Sequence, residues 1–225
     1  MIRFIFVVLF VVLFLILSTP LMLVEWIIGK FNPGLKDRSS LAIVNWAFRW
    51  VIRLSGTKVI AIGEENIPTD TAVLYVGNHR SFFDVVLTYV RVPRPTGYIA
   101  KKEMLKWPLL NIWMKDLHCL FLDRQDIKAG LKTILQAIEK AKNGISICIF
   151  PEGTREKEGK LLPPKSGLFV IAAEAGVDVV PCRILYDTPD GKMHLFCRVR
   201  VIYGEPMPAV QFAMEGRRDT KKLRA

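Results

Sequence analysis

The chain begins with one long apolar run, since residues 4–24 contain no charged side chain. A helix of that length is long enough to cross a hydrocarbon core of about 30 Å. Pro20 lies inside the run and can kink a helix, so a segment that re-enters the same leaflet is an alternative. A cleaved signal peptide is disfavoured, because the run is too long and lacks a small-residue cleavage site. We therefore expect a retained membrane anchor.

The next apolar pattern, over residues 39–56, recurs at helical spacing. Ser40 suits the start of this helix and Gly56 suits its end. Tryptophan and arginine beside an apolar stripe are typical of the headgroup layer of a bilayer. A core helix with snorkelling arginines is the alternative. The pairs that share a face here are Trp46 with Trp50, and Arg49 with Arg53.

From residue 57 onward, short apolar runs alternate with segments of helical periodicity. The predicted helices cover residues 80–90, 126–144 and 166–176. The predicted strands cover residues 58–63, 71–77, 117–124, 145–150, 177–185 and 194–207. This alternation predicts an α/β fold, with a mixed, largely parallel sheet flanked by helices. We expect three regions: membrane-anchoring and interfacial helices at 1–54, an α/β domain at 55–215, and a basic tail at 216–225.

The charge of the chain indicates an anionic partner, because the net charge is +11 and the isoelectric point is about 9.6. Nucleic acid is disfavoured, since no zinc-finger spacing, basic leucine zipper or aromatic RNA-binding signature occurs. A phospholipid membrane fits better, given the apolar run. Arg3 is the one basic residue ahead of the run, whereas several follow it, so the positive-inside rule puts the globular part on the cytoplasmic face of the cell membrane. Those that follow are Lys30, Lys36, Arg38, Arg49 and Arg53.

The four cysteines lie in or beside apolar runs, and no two of them have the spacing of a zinc site. We expect reduced, mostly buried thiols and no metal centre. None lies in a polar setting that would activate it as a nucleophile. The four are Cys119, Cys148, Cys182 and Cys197.

Candidate chemistry begins with the stretch NHRSFFD, residues 78–84, which directly follows a predicted strand. Ser81 and Asp84 fit a capping box, so one alternative is that Asp84 only caps a helix. If the helix begins at Ser81, His79 lies in the loop before it, and its ring can fold back to meet Asp84. A histidine oriented by a carboxylate is a common general base, with a proton affinity suited to neutral pH. Since no nucleophile elbow is present, we expect the base to act on a substrate hydroxyl.

A second candidate is the stretch CIFPEGTR, residues 148–155, where a strand breaks at a proline. Gly153 allows close approach of the backbone to a ligand, and Arg155 offers a planar fork for phosphate. Glu152 is expected to hold a basic group or a ligand hydroxyl. Arg124, at the end of a strand in FLDR, is expected to join Arg155 at one phosphate. The alternatives are a plain turn with a surface ion pair, and an Arg124 paired with a neighbouring aspartate.

A proline inside the apolar run VVPC, Pro181, predicts an edge strand or a bend. Together, NHRSFFD, FLDR, FPEGTR and VVPC resemble the four sequence blocks of the glycerolipid acyltransferases, specifically the 1-acylglycerol-3-phosphate acyltransferases of bacterial type. AKKEML, residues 100–105, resembles a segment found between the first two blocks. The resemblance covers roughly residues 55–205. The second block departs from the family, where glycine and isoleucine often precede the arginine.

The resemblance implies a mechanism without a cofactor. His79 would take the proton from the sn-2 hydroxyl of lysophosphatidate, and Asp84 would orient His79. The hydroxyl would attack an acyl thioester of coenzyme A or acyl carrier protein. Lys101 would contact the oxyanion or the donor. The residues that the resemblance assigns to the phosphate pocket are Arg124, Glu152, Gly153, Thr154 and Arg155.

Alternatives within this chemistry are another lysolipid or glycerol 3-phosphate as acceptor. Two further alternatives are a membrane-bound phosphoesterase that uses His79, and a non-catalytic lipid-binding protein. The second would bind vesicles in a salt-sensitive way without any need for His79 and Asp84. The sequence carries no signal for acyl-chain length or for the choice of donor.

Overall fold

The computed structural model describes residues 2–153, 169–188 and 193–210. It opens with helices α1, α2 and α3, at Ile2–Leu17, Thr19–Phe31 and Pro33–Ser55. Within the described residues, no single helix is both long and apolar enough for a membrane span. Helices α1 and α2 together are long and apolar enough to span a membrane, but the pair is bent by 49°. The apolar run at residues 4–24 is therefore divided between two helices, as a kink at Pro20 suggested, and its role as a membrane anchor stays a prediction.

The bend between α1 and α2 has a local cause in the backbone hydrogen bonds. Pro20 has no N–H to donate to the carbonyl of Ile16, and the hydroxyl of Thr19 donates to that carbonyl instead, at 2.7 Å. Ser18 lies between the two helices, and its hydroxyl donates to Leu15 O at 3.3 Å. The proline noted in the sequence thus does bend the apolar segment.

Helix α3 begins seven residues before the predicted start at Ser40. Asn32 caps it instead, because its side chain accepts the N–H of Leu35 at 3.0 Å. Ser40 is buried against α2, where its hydroxyl donates to the buried carboxylate of Glu25 at 3.2 Å. Gly56 ends α3 in the left-handed conformation, as predicted, with φ of 73°.

Within the described residues, seven strands form one sheet, and four shorter α-helices accompany it in an α/β fold. The strands are β1 Lys58–Ile62, β2 Val73–Gly77, β3 Thr96–Lys101, β4 Leu120–Leu122, β5 Ser146–Ile149, β6 Asp178–Tyr186 and β7 Arg198–Tyr203. The helices are α4 Phe83–Tyr89, α5 Leu110–Asp116, α6 Ile127–Lys142 and α7 Val170–Ala175. The strand order is β1-β7-β6-β2-β5-β3-β4. Strands β2 to β6 are parallel, and β1 and β7 run the other way.

The sheet is mixed and mostly parallel, as predicted, and it is covered on both faces. Alternate residues of each strand point to opposite faces, so Tyr75 faces α3, α4 and α5, whereas Leu74 faces α6 and α7. Met22 of α2 belongs to the first of these apolar clusters, so the N-terminal helices pack on the same face as α4 and α5. Strands β2 to β6 all end at the same edge of the sheet.

Strand β3 and helix α5 were not predicted. Strand β3 carries Gly97 and ends in a lysine, so it lacks the continuous apolar pattern of a buried strand. Gly97 is needed because a Cβ there would lie 2.3 Å from the carbonyl oxygen of His118. The edge strand predicted from Pro181 was also wrong, because β6 lies inside the sheet between β2 and β7. Proline is tolerated there because the ladder with β7 begins one residue later, at Cys182.

Candidate active site

Three neighbouring parallel strands, β6, β2 and β5, supply the side chains of the site. Strand β2 ends at Gly77, and Asn78 and His79 follow in the loop before α4. The carboxyl ends of parallel strands meet at one edge of a sheet, which is where open α/β folds bind ligands. His79 therefore lies at the open edge, between the end of β5 and the end of β6.

The side chains of His79 and Asp84 are in contact, with 3.0 Å between Nδ1 and Oδ2. Asp84 is fully buried, whereas the His79 side chain is 18% exposed. Nδ1–H donates to the carboxylate, so the lone pair lies on Nε2. Nε2 makes no hydrogen bond to the residues of ranges 2–153, 169–188 and 193–210. The ring therefore has the tautomer and the partial exposure that a general base needs.

Asp84 also caps its helix, so the two alternatives from the sequence hold at once. Its Oδ2 accepts the backbone N–H groups of Arg80 at 2.7 Å and Ser81 at 2.8 Å. Helix α4 begins at Phe83 rather than at Ser81, and the hydroxyl of Ser81 accepts the N–H of Phe83 at 3.1 Å. One carboxylate thus fixes both the loop and the imidazole.

The other oxygen of Asp84 accepts the hydroxyl of Tyr186, which lies at the end of β6. Burial raises the pKa of Tyr186 well above its usual range, and the negative charge of Asp84 raises it further. Tyr186 is therefore a neutral donor. No short-range pattern indicates this contact, because Asp84 and Tyr186 lie 102 positions apart.

Asn78 fastens the loop to the same strand. Its side chain donates to Ile184 O at 3.0 Å and accepts the N–H of Ile184 at 2.7 Å. These two bonds take the place of a strand pair beyond the end of β2. Asn78 was part of the quoted motif, but sequence reasoning assigned it no role.

The turn after β5 supports the other side of His79. The ring of Phe150 stacks on the imidazole, with 4.4 Å between centroids and 14° between planes. Glu152 is buried, and its Oε1 accepts the backbone N–H of His79 at 3.2 Å. Gly153 closes the turn by donating to Phe150 O at 3.0 Å, with φ of 70°. The sequence analysis assigned no role to Phe150. Its position just before the proline that follows β5 was the signal that could have indicated one.

The structure does not bring Lys101 or Arg124 into contact with His79. Lys101 ends β3 and Arg124 follows β4, which is three strand positions from β2, or about 14 Å at 4.8 Å per strand. Both side chains are exposed. Their predicted roles stay predictions. Thr154 and Arg155 lie outside the described residues.

Arg124 makes no ion pair with any described residue, so the predicted alternative of a pair with Asp123 or Asp126 does not occur there. Nζ of Lys102 instead donates a hydrogen bond to Oδ2 of Asp123, at 2.8 Å. That hydrogen bond lowers the pKa of Asp123 and raises the pKa of Lys102. Arg124 is left exposed on the active-site edge of β4.

Among the residues that the structure describes, no activated nucleophile lies beside His79. Burial raises the pKa of Cys182 to about 12, so this thiol is protonated at neutral pH. Burial also raises the pKa of Cys148. Among the described residues, no three or more histidine, cysteine or acidic side chains form a metal-binding group. The arrangement is that of an α/β fold with an oriented imidazole, which is suited to removing a proton from a bound group.

Comparison with known proteins identifies the family. The family model described as Acyltransferase matches residues 58–185, which is more than half of the chain. The chain belongs to this acyltransferase family. Its motif residues His79 and Asp84 lie within the matched region.

Curated relatives carry one activity in their names. The 1-acyl-sn-glycerol-3-phosphate acyltransferase of Borreliella burgdorferi is 31% identical over 67% of this chain and 60% of its own length. The chloroplastic 1-acyl-sn-glycerol-3-phosphate acyltransferase BAT2 of Brassica napus is 37% identical over 55% of this chain and 36% of its own length. The matches thus span less than two thirds of these relatives.

A solved structure shares the fold over almost the whole chain. The crystal structure of the 1-acyl-sn-glycerophosphate acyltransferase PlsC from Thermotoga maritima superposes with a TM-score of 0.76. It covers 99% of this chain and 90% of its own, at 23% identity. The bent pair α1 and α2 and the sheet therefore belong to one known architecture.

Proposed function

We propose that this chain transfers a fatty acyl group from a thioester to the sn-2 hydroxyl of 1-acylglycerol 3-phosphate, giving phosphatidate. The observation that carries the proposal is the Nδ1-to-Oδ2 contact of His79 and Asp84, at the open edge of a family acyltransferase fold. The names of the relatives supply the acceptor.

In the proposed reaction, Nε2 of His79 accepts the proton of the sn-2 hydroxyl. The oxygen forms a bond to the acyl carbonyl carbon, and the carbon–sulfur bond of the thioester breaks. The imidazolium then returns its proton to the departing thiolate. Asp84 stabilises the imidazolium, and no acyl-enzyme forms because no nucleophilic side chain takes part.

The phosphate of the acceptor is proposed to meet the turn after β5 and the guanidinium groups of Arg124 and Arg155. The positive φ of Gly153 exposes backbone there, which suits a close approach by an anion. Lys101 is proposed to contact the oxyanion or the donor. Coenzyme A and acyl carrier protein are both proposed donors, and no cofactor or metal is required.

The N-terminal helices are proposed to hold the protein in a phospholipid membrane, with the catalytic domain on the cytoplasmic face. Helices α1 and α2 expose many large apolar side chains, which a protein in water rarely does over a contiguous patch. Among them are Phe4 at 61%, Leu9 at 49%, Leu23 at 60% and Trp26 at 59%. The bend of 49° supports a segment that lies within one leaflet as well as a broken span.

An acyl-transfer assay tests the proposal. The full chain in detergent or vesicles receives lysophosphatidate with labelled acyl-coenzyme A or acyl carrier protein. We expect labelled phosphatidate from at least one donor, and His79→Ala should lower kcat by about 10³-fold or more. His118→Asn is the matched control, since His118 lies at the other end of the strands and asparagine tolerates its φ of 59°. Absence of transfer from both donors by folded protein would refute the function, and release of inorganic phosphate would indicate a phosphoesterase.

A further inference from the structure

The carboxylate of Asp84 is held from two sides by different parts of the chain. Oδ2 accepts from its own loop, through Nδ1 of His79 and two backbone N–H groups. Oδ1 faces β6 and accepts the hydroxyl of Tyr186. Asp84 is 0% exposed and Tyr186 is 4% exposed. Because both side chains are buried, water is poorly placed to replace this donor if the hydroxyl is removed.

Strand β6 reaches beyond its neighbour and serves as the template for the loop. Strand β2 ends at Gly77, opposite Cys182, and β6 continues for four more residues. The first contact in this extension is the pair of bonds between Asn78 and the backbone of Ile184. The second is the bond between Tyr186 and Asp84. The loop that carries His79 is therefore fixed to β6 at both of its ends.

We propose that Tyr186 is a positioning residue for the base: its hydroxyl fixes the orientation of the Asp84 carboxylate and shares its negative charge, and thereby sets the pH range in which His79 works. The role in catalysis rests on the proposed function. The role in setting the protonation of His79 does not depend on the substrate.

The direction of the effect follows from electrostatics. A hydrogen-bond donor on Oδ1 withdraws negative charge from the carboxylate, so the carboxylate attracts the imidazolium less strongly. Without the hydroxyl, the same carboxylate holds the imidazolium more firmly. The ring then stays protonated, and inactive as a base, to higher pH.

The other ionisable groups around the pair come from four segments of the chain. Glu152, on the turn after β5, contacts the backbone of His79. Arg80 is the next residue after His79 in the loop. Cys182 of β6 lies near Asp84, and Cys197, ahead of β7, lies near Tyr186. Removal of one hydroxyl from Tyr186 leaves all four unchanged, so a shift can be assigned to that bond.

The test is Tyr186→Phe in the full chain, with Tyr89→Phe as the matched control. Tyr89 is also buried, and its hydroxyl donates to Thr96 O at 3.0 Å, with no contact to Asp84. For Tyr186→Phe we expect kcat to fall about tenfold and KM to stay within about twofold. The acid limb of its pH–rate profile should move to higher pH by about half a unit or more. Tyr89→Phe should leave kcat and the acid limb unchanged.

A second variant tests the same bond in case Tyr186→Phe does not fold. Site-specific 3-fluorotyrosine at position 186 keeps the ring and makes the hydroxyl a stronger donor, so the acid limb should move to lower pH. An acid limb that coincides with wild type in both Tyr186→Phe and the fluorinated protein would overturn the proposal.

Nuclear magnetic resonance separates this proposal from the proposed function. The chain has three histidines, and His79→Gln identifies the ring signals of His79 in the detergent-solubilised protein. The titration midpoint of that ring should rise in Tyr186→Phe and stay in place in Tyr89→Phe. This result supports the positioning role even if wild type transfers no acyl group, in which case the function alone fails. An unchanged midpoint in Tyr186→Phe overturns the positioning role.

Discussion

At the scale of single residues, the site depends on one buried carboxylate whose contacts are all with donors. Three N–H groups and one hydroxyl meet the two oxygens of Asp84. That is the pattern of an ionised carboxylate, whose charge would stabilise the imidazolium of His79 in the proposed reaction. The geometry of the loop and the chemistry of the base thus share one group.

We predict that Asp84→Asn lowers kcat by about 10²- to 10⁴-fold, because the amide removes the charge and favours the wrong imidazole tautomer. The acyl-transfer assay measures this effect. Asp178→Asn is the matched control, since Asp178 at the start of β6 also accepts a backbone N–H, from Ala209 at 3.1 Å. Thermal unfolding shows whether each variant is folded. Near-normal kcat in folded Asp84→Asn would leave Asp84 as a helix cap alone.

The sequence could predict the pair His79 and Asp84, because both residues lie within one seven-residue motif and local capping geometry brings them together. It could not predict the contacts of that pair with Phe150 and Tyr186. Those contacts depend on which strands lie beside β2, and short-range patterns carry no information on strand order. The side chains that bracket the base are therefore the part of the site that only the fold reveals.

At the scale of elements, the bend between α1 and α2 is fastened to the catalytic domain. The indole N–H of Trp113 in α5 donates to the hydroxyl of Ser18 at 3.0 Å, and both residues are buried. The ring of Phe14 packs on Trp113, with 6.1 Å between centroids. Helix α5 follows β3 and packs on the sheet. These contacts with α5 therefore fix the orientation of the N-terminal helices relative to the sheet.

We predict that Ser18→Ala destabilises this junction by about 1–3 kcal/mol, because it leaves the buried indole N–H of Trp113 without an acceptor. Hydrogen exchange of α1 and α2 should become faster. Thr19→Ala is the control, since the hydroxyl of Thr19 is exposed and donates to Ile16 O across the same bend, with no hydrogen bond to α5 among the described residues. Equal exchange in the two variants would show that the bond to Trp113 does not hold the helices.

His118 contacts both α3 and α6, and its protonation makes the stability of the fold depend on pH. Its Nε2 lies 2.8 Å from a carboxylate oxygen of Asp37, and its Nδ1 lies 3.2 Å from Nζ of Lys140. Burial lowers the pKa of His118, Asp37 opposes this shift, and Lys140 adds to it. The unfolded chain therefore binds a proton more readily. The stability that this group contributes is present above about pH 6.5 and is lost as the pH falls below that value.

We predict that the melting temperature of wild type falls between about pH 7.5 and pH 5 by more than that of His118→Asn. Asparagine suits the position because φ of His118 is 59°, in the left-handed region. His194→Asn removes an exposed histidine and should keep the slope of wild type. Parallel slopes for wild type and His118→Asn would contradict the prediction.

Elements with strong periodicity were predictable from the sequence, and those with mixed patterns were not. Helix α6 matched its prediction closely, because its apolar positions recur every three or four residues and Asp126 caps its start. The start of α3 was misplaced, because Asn32 lies ahead of a proline and a glycine that resemble a loop. Pro33 is in fact at the first helical position, where its missing N–H costs nothing.

At the scale of the whole molecule, apolar exposure and positive charge are combined in one chain. The net charge is +11, and the exposed apolar side chains of α1 and α2 lie on the sheet face opposite α6 and α7. Electrostatic attraction is screened over about 10 Å at 0.1 M salt, whereas apolar insertion is not. The two contributions to membrane binding can therefore be separated by salt.

We predict that the full chain binds anionic vesicles better than zwitterionic ones, and that about 0.5 M salt weakens this binding without abolishing it. Leu9→Glu on α1 should reduce binding about tenfold, because it places a charge in the apolar layer. Leu135→Glu on α6, where Leu135 is 57% exposed, should bind like wild type. Vesicle flotation measures all three proteins. Equal loss in both variants would show that α1 has no special part in binding.

The pairing of β1 has a consequence for synthesis on the ribosome. Among the described strands, β1 pairs only with β7. Roughly 140 further residues must therefore be synthesised before the partner of β1 exists, which takes about ten seconds or more of translation. During that time the nascent chain exposes an open strand next to an already apolar N-terminus. Truncations that remove residues 198–203 should therefore leave an aggregation-prone intermediate instead of a smaller folded enzyme.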